Sequence, residues 1–176
     1  MTETPPEPPI AGSEVEVLRG FLDFYRVVLR RKTDGLDAAA LDHPLPPSTM
    51  TLGGMLKHLA FVEQHWIGYM AAGHDQVEPW ASAPWADDED WDWHSAADDD
   101  PDAVRVLHAR TVERCDALLD DLVTGPEGLD RLVARTGGHG GRVSLRWVLV
   151  HLVEEYARHA GHADLLREAV DGVTGD

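Results

Sequence analysis

Four side chains in one stretch of this chain could hold a metal ion. In SLRWVLVHLVEEYARHAGHADLLREAVDG, Ser144 to Gly172, the residues His151, Glu155, His159 and His162 recur at spacings of four, four and three. At about 100° per residue they fall in a helical stripe about 80° wide. Val148 and Leu166 share that arc, so the stripe faces a core or a cleft. Imidazoles and a carboxylate on such a face need partners, because an unpaired buried polar group is costly. A divalent ion would satisfy several of them at once. Glu155 and His159 stand one turn apart, close enough for one ion, by the same spacing that brings two histidines together in HExxH. His58 lies mid-helix in TLGGMLKHLAFVEQHWIGYMAA, between Met55, Leu59 and Val62. The expectation is a metal held by His58, Glu155 and His159, with a coordination position open to water or substrate. His162 and His151 flank the pair as catalytic proton carriers, ligand partners or an extra ligand. Taken alone, His58 reads first as a core histidine with a satisfied partner, and many helices hold ExxxHxxH by chance. His65 reads as a packed or rim histidine.

Those residues need long helices to position them. Ser13 to about Thr33 is a first helix: Ser13 and Glu16 form a capping box, and Val17, Phe21, Phe24, Tyr25, Val28 and Leu29 make its buried face. A short helical turn follows at Leu36–Leu41, then the HPLPPSTM loop. Thr51 to about Ala72 is the second helix. Residues 73–100 are too long for a hairpin between antiparallel helices. They are acidic, yet they carry Trp80, Trp85, Trp91 and Trp93, which should pin the loop across the bundle or wall a cleft. The aspartates themselves read as solvated. Pro101 to Val123 is the third helix, with Cys115 buried and inert and His108 on its solvated side. Residues 124–143 form a Gly-rich connector with a short extended piece at Leu132–Ala134. The last helix then runs to Gly172, with Leu165 on its apolar face. His43, His74, His94 and His139 fall in loops and read as solvated. The architecture is all-α: a four-helix bundle with a long crossover between helices two and three. Residues 1–12 read as a disordered lead, and 13–176 as one domain.

Composition narrows the function. The formal charge is -17, and only Lys32 and Lys57 are lysines. No general basic surface exists for nucleic acid or an anionic membrane. No apolar run approaches a membrane span. One cysteine excludes an intrachain disulfide and a thiolate cage. Without a basic, apolar leader the expected setting is cytoplasmic. The glycines at 137–141 lack the Lys-Ser/Thr of a phosphate loop.

The last helix, together with LGGMLKHLAFVEQHWI, resembles the DinB-like superfamily. More narrowly it resembles the actinobacterial mini-circle branch, related to mycothiol-dependent maleylpyruvate isomerase. The likeness covers nearly all of the chain after residue 13. It implies a four-helix bundle of up-down-down-up topology. It also implies a metal triad of one His on the second helix and a pair spaced by four on the last. His58 matches the first, and Glu155 and His159 match the pair in its isomerase-like ExxxH form. Zinc is the first expectation, with nickel or iron(II) compatible with the same N/O donors. The resemblance further implies a metal- and thiol-dependent S-transferase or isomerase acting on a small-molecule electrophile, with mycothiol as co-substrate. Arg142, Arg146 and Arg158 are candidate anchors for a carboxylate of thiol or substrate.

Two other readings stand beside this one. A metal-dependent hydrolase would use activated water, with His162 or His151 as base. A non-catalytic bundle would use the ion as a stabilising clip. Apolar residues nearly all round the last helix would also suit a homodimer.

Overall fold

The computed structural model describes residues 4–137 and 140–175; His139 lies outside them. Among the described residues the regular structure is helical: α1 (Glu14–Thr33), α2 (Ala38–Leu41), α3 (Leu52–Glu63), α4 (Trp91–His94), α5 (Pro101–Val123) and α6 (Leu145–Asp171). A π-helical stretch, Gln64–Ala71, continues α3, and short 3₁₀ turns stand at Ser95–Asp98 and Gly128–Asp130. The extended piece expected at Leu132–Ala134 amounts to a single antiparallel bridge between Leu132 and Ser144. No described helix is long and apolar enough to cross a membrane.

The long helices start where their capping residues stand. Ser13 accepts from the Glu16 N–H while Glu16 reaches back, closing the capping box; Thr51, Asp100 and Ser144 cap α3, α5 and α6. Gly172 ends α6 at φ 75°, a left-handed conformation that suits glycine. One core joins the long helices through residues such as Leu22, Leu29, Met55, Leu59, Leu119, Leu149 and Leu152.

Two apolar positions differ from expectation. Phe21 is 42% exposed and Leu165 is 57% exposed. In α1 the buried stripe runs instead through Leu22, Arg26, Val27, Val28, Leu29 and Lys32. It admits charge because the charge has partners. Arg26 meets Glu63 twice, Nε to Oε1 at 2.6 Å and Nη2 to Oε2 at 2.7 Å, with the pair 2% and 0% exposed. Arg26 Nη1 also donates to Asp23 and Asp116, each at 2.8 Å. Burial, and then the Glu63 charge, holds the Tyr156 phenol well above its usual pKa.

His108 is a correction. It is fully buried, not solvated, and its Nε2 lies 2.9 Å from Tyr156 Oη. The buried stripe of α5 is Val104, His108, Thr111, Cys115, Leu119 and Leu122. The stripe admits polar members, His108 and Thr111, which apolar periodicity alone does not mark as core. Arg26, Glu63, His108 and Tyr156 thus form a polar cluster drawn from all four long helices.

Burial pushes the His108 pKa down to about 3, with Arg30 and Arg26 acting the same way. The unfolded imidazole keeps its ordinary 6.5. Its contribution is therefore fully present above that value and falls as pH drops toward 3, because only the unfolded chain then binds the proton. The expected slope is about 1.4 kcal/mol per pH unit. His108→Gln should flatten the acid limb of a denaturant-derived stability profile by about one proton. An unchanged limb would contradict the buried neutral assignment.

Candidate metal centre

The structure brings His58, Glu155 and His159 together. Each offers one donor atom, and the three atoms lie within 4.8 Å of one another. His58 comes from the middle of α3, and the other two from adjacent turns of α6. The His58 and His159 ring centroids are 5.3 Å apart. Glu155 Oε2 lies 3.5 Å from His159 Nε2. That is longer than a strong hydrogen bond. It is close to the roughly 3.4 Å that separates two donors in the shell of a tetrahedral ion with 2.0–2.1 Å bonds. Neighbouring imidazoles hold the Glu155 carboxyl below its usual range, the His159 hydrogen bond foremost, against the opposing effect of burial.

Both imidazoles are held at the far nitrogen. His58 Nδ1 lies 2.7 Å from Asp92 Oδ2, and Asp92 is almost fully buried. His159 Nδ1 lies 3.4 Å from His162 Nδ1. A partner at Nδ1 turns Nε2 of His159 toward the Glu155 carboxylate, the arrangement by which outer partners orient metal-binding histidines. The donor set, two neutral-capable imidazoles and one carboxylate, fits a divalent ion such as zinc.

Asp92 is the residue that sequence reasoning missed. It lies in the acidic crossover, where the aspartates read as solvated, but α4 folds it inward. The tryptophans do the folding. Trp80 is 1% exposed, Trp85 Nε1 donates to the Trp80 carbonyl at 3.1 Å, and both indoles pack near Phe61. Lys57 sits over Trp91, 4.5 Å from its centroid. Trp93 stacks on His58 at 4.5 Å and 24° and also meets His159 at 5.4 Å. The expected pinning of Trp91 and Trp93 was the available signal, but it does not say which neighbour turns inward: Asp90 and His94 beside them are exposed. Asp92→Ala should weaken zinc binding about 10–100-fold, measured by competition with a chromogenic chelator. Unchanged affinity would remove Asp92 from the site.

The remaining predicted residues divide. His162 reaches the site through His159, and burial, then His159, lowers its pKa. His151 approaches Glu155 from the other side, its Nε2 3.6 Å from Oε1. Arg158, 59% exposed, pairs with Glu154. Arg146 pairs with Glu14 and Asp130. Nine residues from Glu155, it projects from the opposite side of α6. Arg142 donates to the Val133 and Leu132 carbonyls. His65 packs among Phe61, Trp66 and Tyr69. Burial lowers its pKa, and it does not join the donor group. His43, His74 and His94 are exposed as expected. Burial drives the Cys115 thiol far above its usual pKa, so it supplies no thiolate at neutral pH.

The π-helical stretch was also unforeseen. Its wide turn carries the Ala72 N–H to the Ile67 carbonyl at 2.9 Å. A Cβ at Gly68 would lie 2.8 Å from the Gln64 side chain, so glycine suits this turn. The stretch delivers Trp66 to α6, 4.9 Å from Trp147 and 5.0 Å from His151. Such π turns are frequent at functional sites.

A search of curated proteins finds no match to this chain. The profile of the Mycothiol-S-transferase family matches residues 17–172, a span that takes in every residue of the donor group and Asp92. With all but the first three residues of its four long helices inside that match, the chain belongs to the Mycothiol-S-transferase family.

Proposed function

We propose that this protein is a divalent-metal-dependent transferase that joins mycothiol to small electrophiles. We further propose that its four long helices form an up-down-down-up bundle. Cross-links at both ends of α1 and α6, Arg146 to Glu14 and Lys32 to Asp164, support a parallel pairing of those helices. Contacts of His58 with His159 and of Trp66 with His151 support an antiparallel α3 and α6.

One observation carries the metal reading. His58 and His159 each have a partner at Nδ1, Asp92 and His162, while Glu155 stands 3.5 Å from Nε2 of His159. A core histidine would need only one satisfied partner; two rings held to present the same nitrogen suit a shared ion. Zinc is the expected ion. When bound there, it supplies the Lewis acidity that lowers a thiol's pKa toward neutrality.

The chain's own residues do the rest. His58, Glu155 and His159 would hold the ion with three ligands, which would leave it a position for a thiol. Asp92 and His162 fix the rings, which preserves donor geometry without substrate. Trp93 covers the His58 face and keeps water from one side of the group. Cys115 is sealed in the core, so the sulfur must come from a diffusible thiol. Arg146 ties α6 to α1, which leaves Arg158, 59% exposed and paired with Glu154, as the proposed anchor for an anionic substrate. The test is mycothiol consumption with a small alkylating electrophile, by metal-free and zinc-reconstituted protein. Zinc-dependent, saturable loss of thiol is expected. Equal rates with and without zinc would contradict the proposal.

A further inference from the structure

We propose that α6 pairs antiparallel with the α6 of a second copy of this chain, forming a reversible homodimer. The pairing does not depend on the metal reading. Its face is the outer side of α6. Trp147, His151, Glu154, Arg158, Gly161 and Leu165 follow one another at spacings of four, three, four, three and four. At about 100° per residue they fall within an arc of about 80°. The buried residues Leu149, Leu152, Tyr156 and Ala163 lie on the other side of the helix, so the bundle's own core does not account for the pattern. Alternate spacings of four and three are those of the a and d positions of a coiled coil. Trp147 is 36% exposed, and Arg158, Gly161 and Leu165 are exposed as well.

The stripe complements itself when turned end for end. A two-fold axis midway between Glu154 and Arg158 sets Trp147 against the partner's Leu165. It sets His151 against the partner's Gly161, and Glu154 against the partner's Arg158. Each layer joins groups that suit one another. An indole meets an aliphatic side chain. An imidazole meets a residue without a side chain, where even a Cβ would touch nothing within 4 Å. A carboxylate meets a guanidinium. The two-fold repeats every layer, as an isologous interface requires. A parallel pairing would set Glu154 against Glu154 and Arg158 against Arg158, so charge selects the antiparallel one.

Within the chain Arg158 pairs with Glu154. A guanidinium has five N–H donors, so it can keep that carboxylate and reach the partner's. The aromatic end of the stripe is preorganised. Trp147 stacks on His151 at 4.9 Å and 23°, and Trp66 meets His151 edge-on at 5.0 Å. The same sequence offset joins Glu14 to Arg146 and Lys32 to Asp164, which places exposed Phe21 of α1 level with Val153. Exposed Val150 lies one turn away, so apolar surface flanks the stripe on the α1 side. A seam about 27 Å long with charged central layers belongs among the small, reversible interfaces.

The test is sedimentation equilibrium of the full chain over a wide range of concentration. Wild type should rise from the 19.4 kDa of one chain toward twice that mass. Glu154→Arg and Arg158→Glu each put like charges in the central layers, and each should weaken the dimer at least about tenfold. Neither side chain is buried, so both variants should keep the helical circular dichroism of wild type. An equimolar mixture of the two should regain the wild-type dimer, because every central layer then joins opposite charges. Val106→Glu, at an exposed position of α5, should leave the dimer unchanged. One-chain mass for wild type at every concentration would overturn the proposal and leave the stripe to a different protein. A dimer that survives Glu154→Arg, or a mixture no better paired than its components, would overturn it as well.

Discussion

His159→Ala and His58→Ala will each strip zinc from the protein, while His65→Ala will leave it in place. The argument is one of donor count. Three protein ligands with one open position is the minimum of a typical catalytic zinc site. Removing an imidazole leaves one imidazole and one carboxylate. The affinity loss must then exceed the roughly 10–100-fold expected for an outer partner such as Asp92. His159→Ala also releases His162, whose Nδ1 is 3.4 Å from the lost ring. His58→Ala leaves Asp92 buried without its imidazole and removes the surface on which Trp93 stacks. His65 is equally aromatic and lies one residue into the π-helical continuation of the same helix, but its neighbours are Phe61, Trp66 and Tyr69. Zinc per chain, measured after dialysis against weak chelator, separates the three variants. Wild-type zinc content in His159→Ala would end the ligand assignment.

Arg26→Met should cost about 3–5 kcal/mol of stability. Glu63 is fully buried, and both its oxygens receive hydrogen bonds from the Arg26 guanidinium. Taking Arg26 away leaves a carboxylate with no counter-charge in the middle of the bundle. It must either protonate or drag in water. Against a typical total of about 5–15 kcal/mol, such a loss unfolds a sizeable fraction of the chains. Replacing both partners, Arg26→Met with Glu63→Leu, should recover most of the loss, because no charge is then stranded. Urea denaturation of both variants reads the difference directly. A single variant as stable as wild type would mean that the Tyr156 hydroxyl alone suffices for Glu63. The cluster also matters for the site, since Tyr156 within it is the chain neighbour of Glu155.

The helices were legible because each carries its own capping residue and an apolar period. Ser13 with Glu16, Thr51, Pro101 and Ser144 placed four starts. The Glu155–His159 pair was legible too, since a spacing of four on α6 requires no tertiary knowledge, whereas His58, on another helix, was joined to it by the family resemblance. What the sequence could not convey was partnership across the bundle. Arg26 and Lys32 lie on a buried face only because Glu63 and Asp164 await them. His108 is core because Tyr156 offers it a hydroxyl. Asp92 looks like any other aspartate of its acidic run until Trp93 is seen on His58. The π turn leaves almost no local mark beyond Gly68. Each of these depends on contacts at large sequence separation, which apolar periodicity does not encode.

Calorimetric titration of mycothiol into zinc-loaded and metal-free protein tests the central claim most directly, with zinc content fixed beforehand by elemental analysis. The account predicts saturable binding to the zinc-loaded chain and none to the metal-free chain or to His159→Ala. Mycothiol binding of equal strength to the metal-free chain would contradict it, as would a zinc-loaded chain that ignores the thiol.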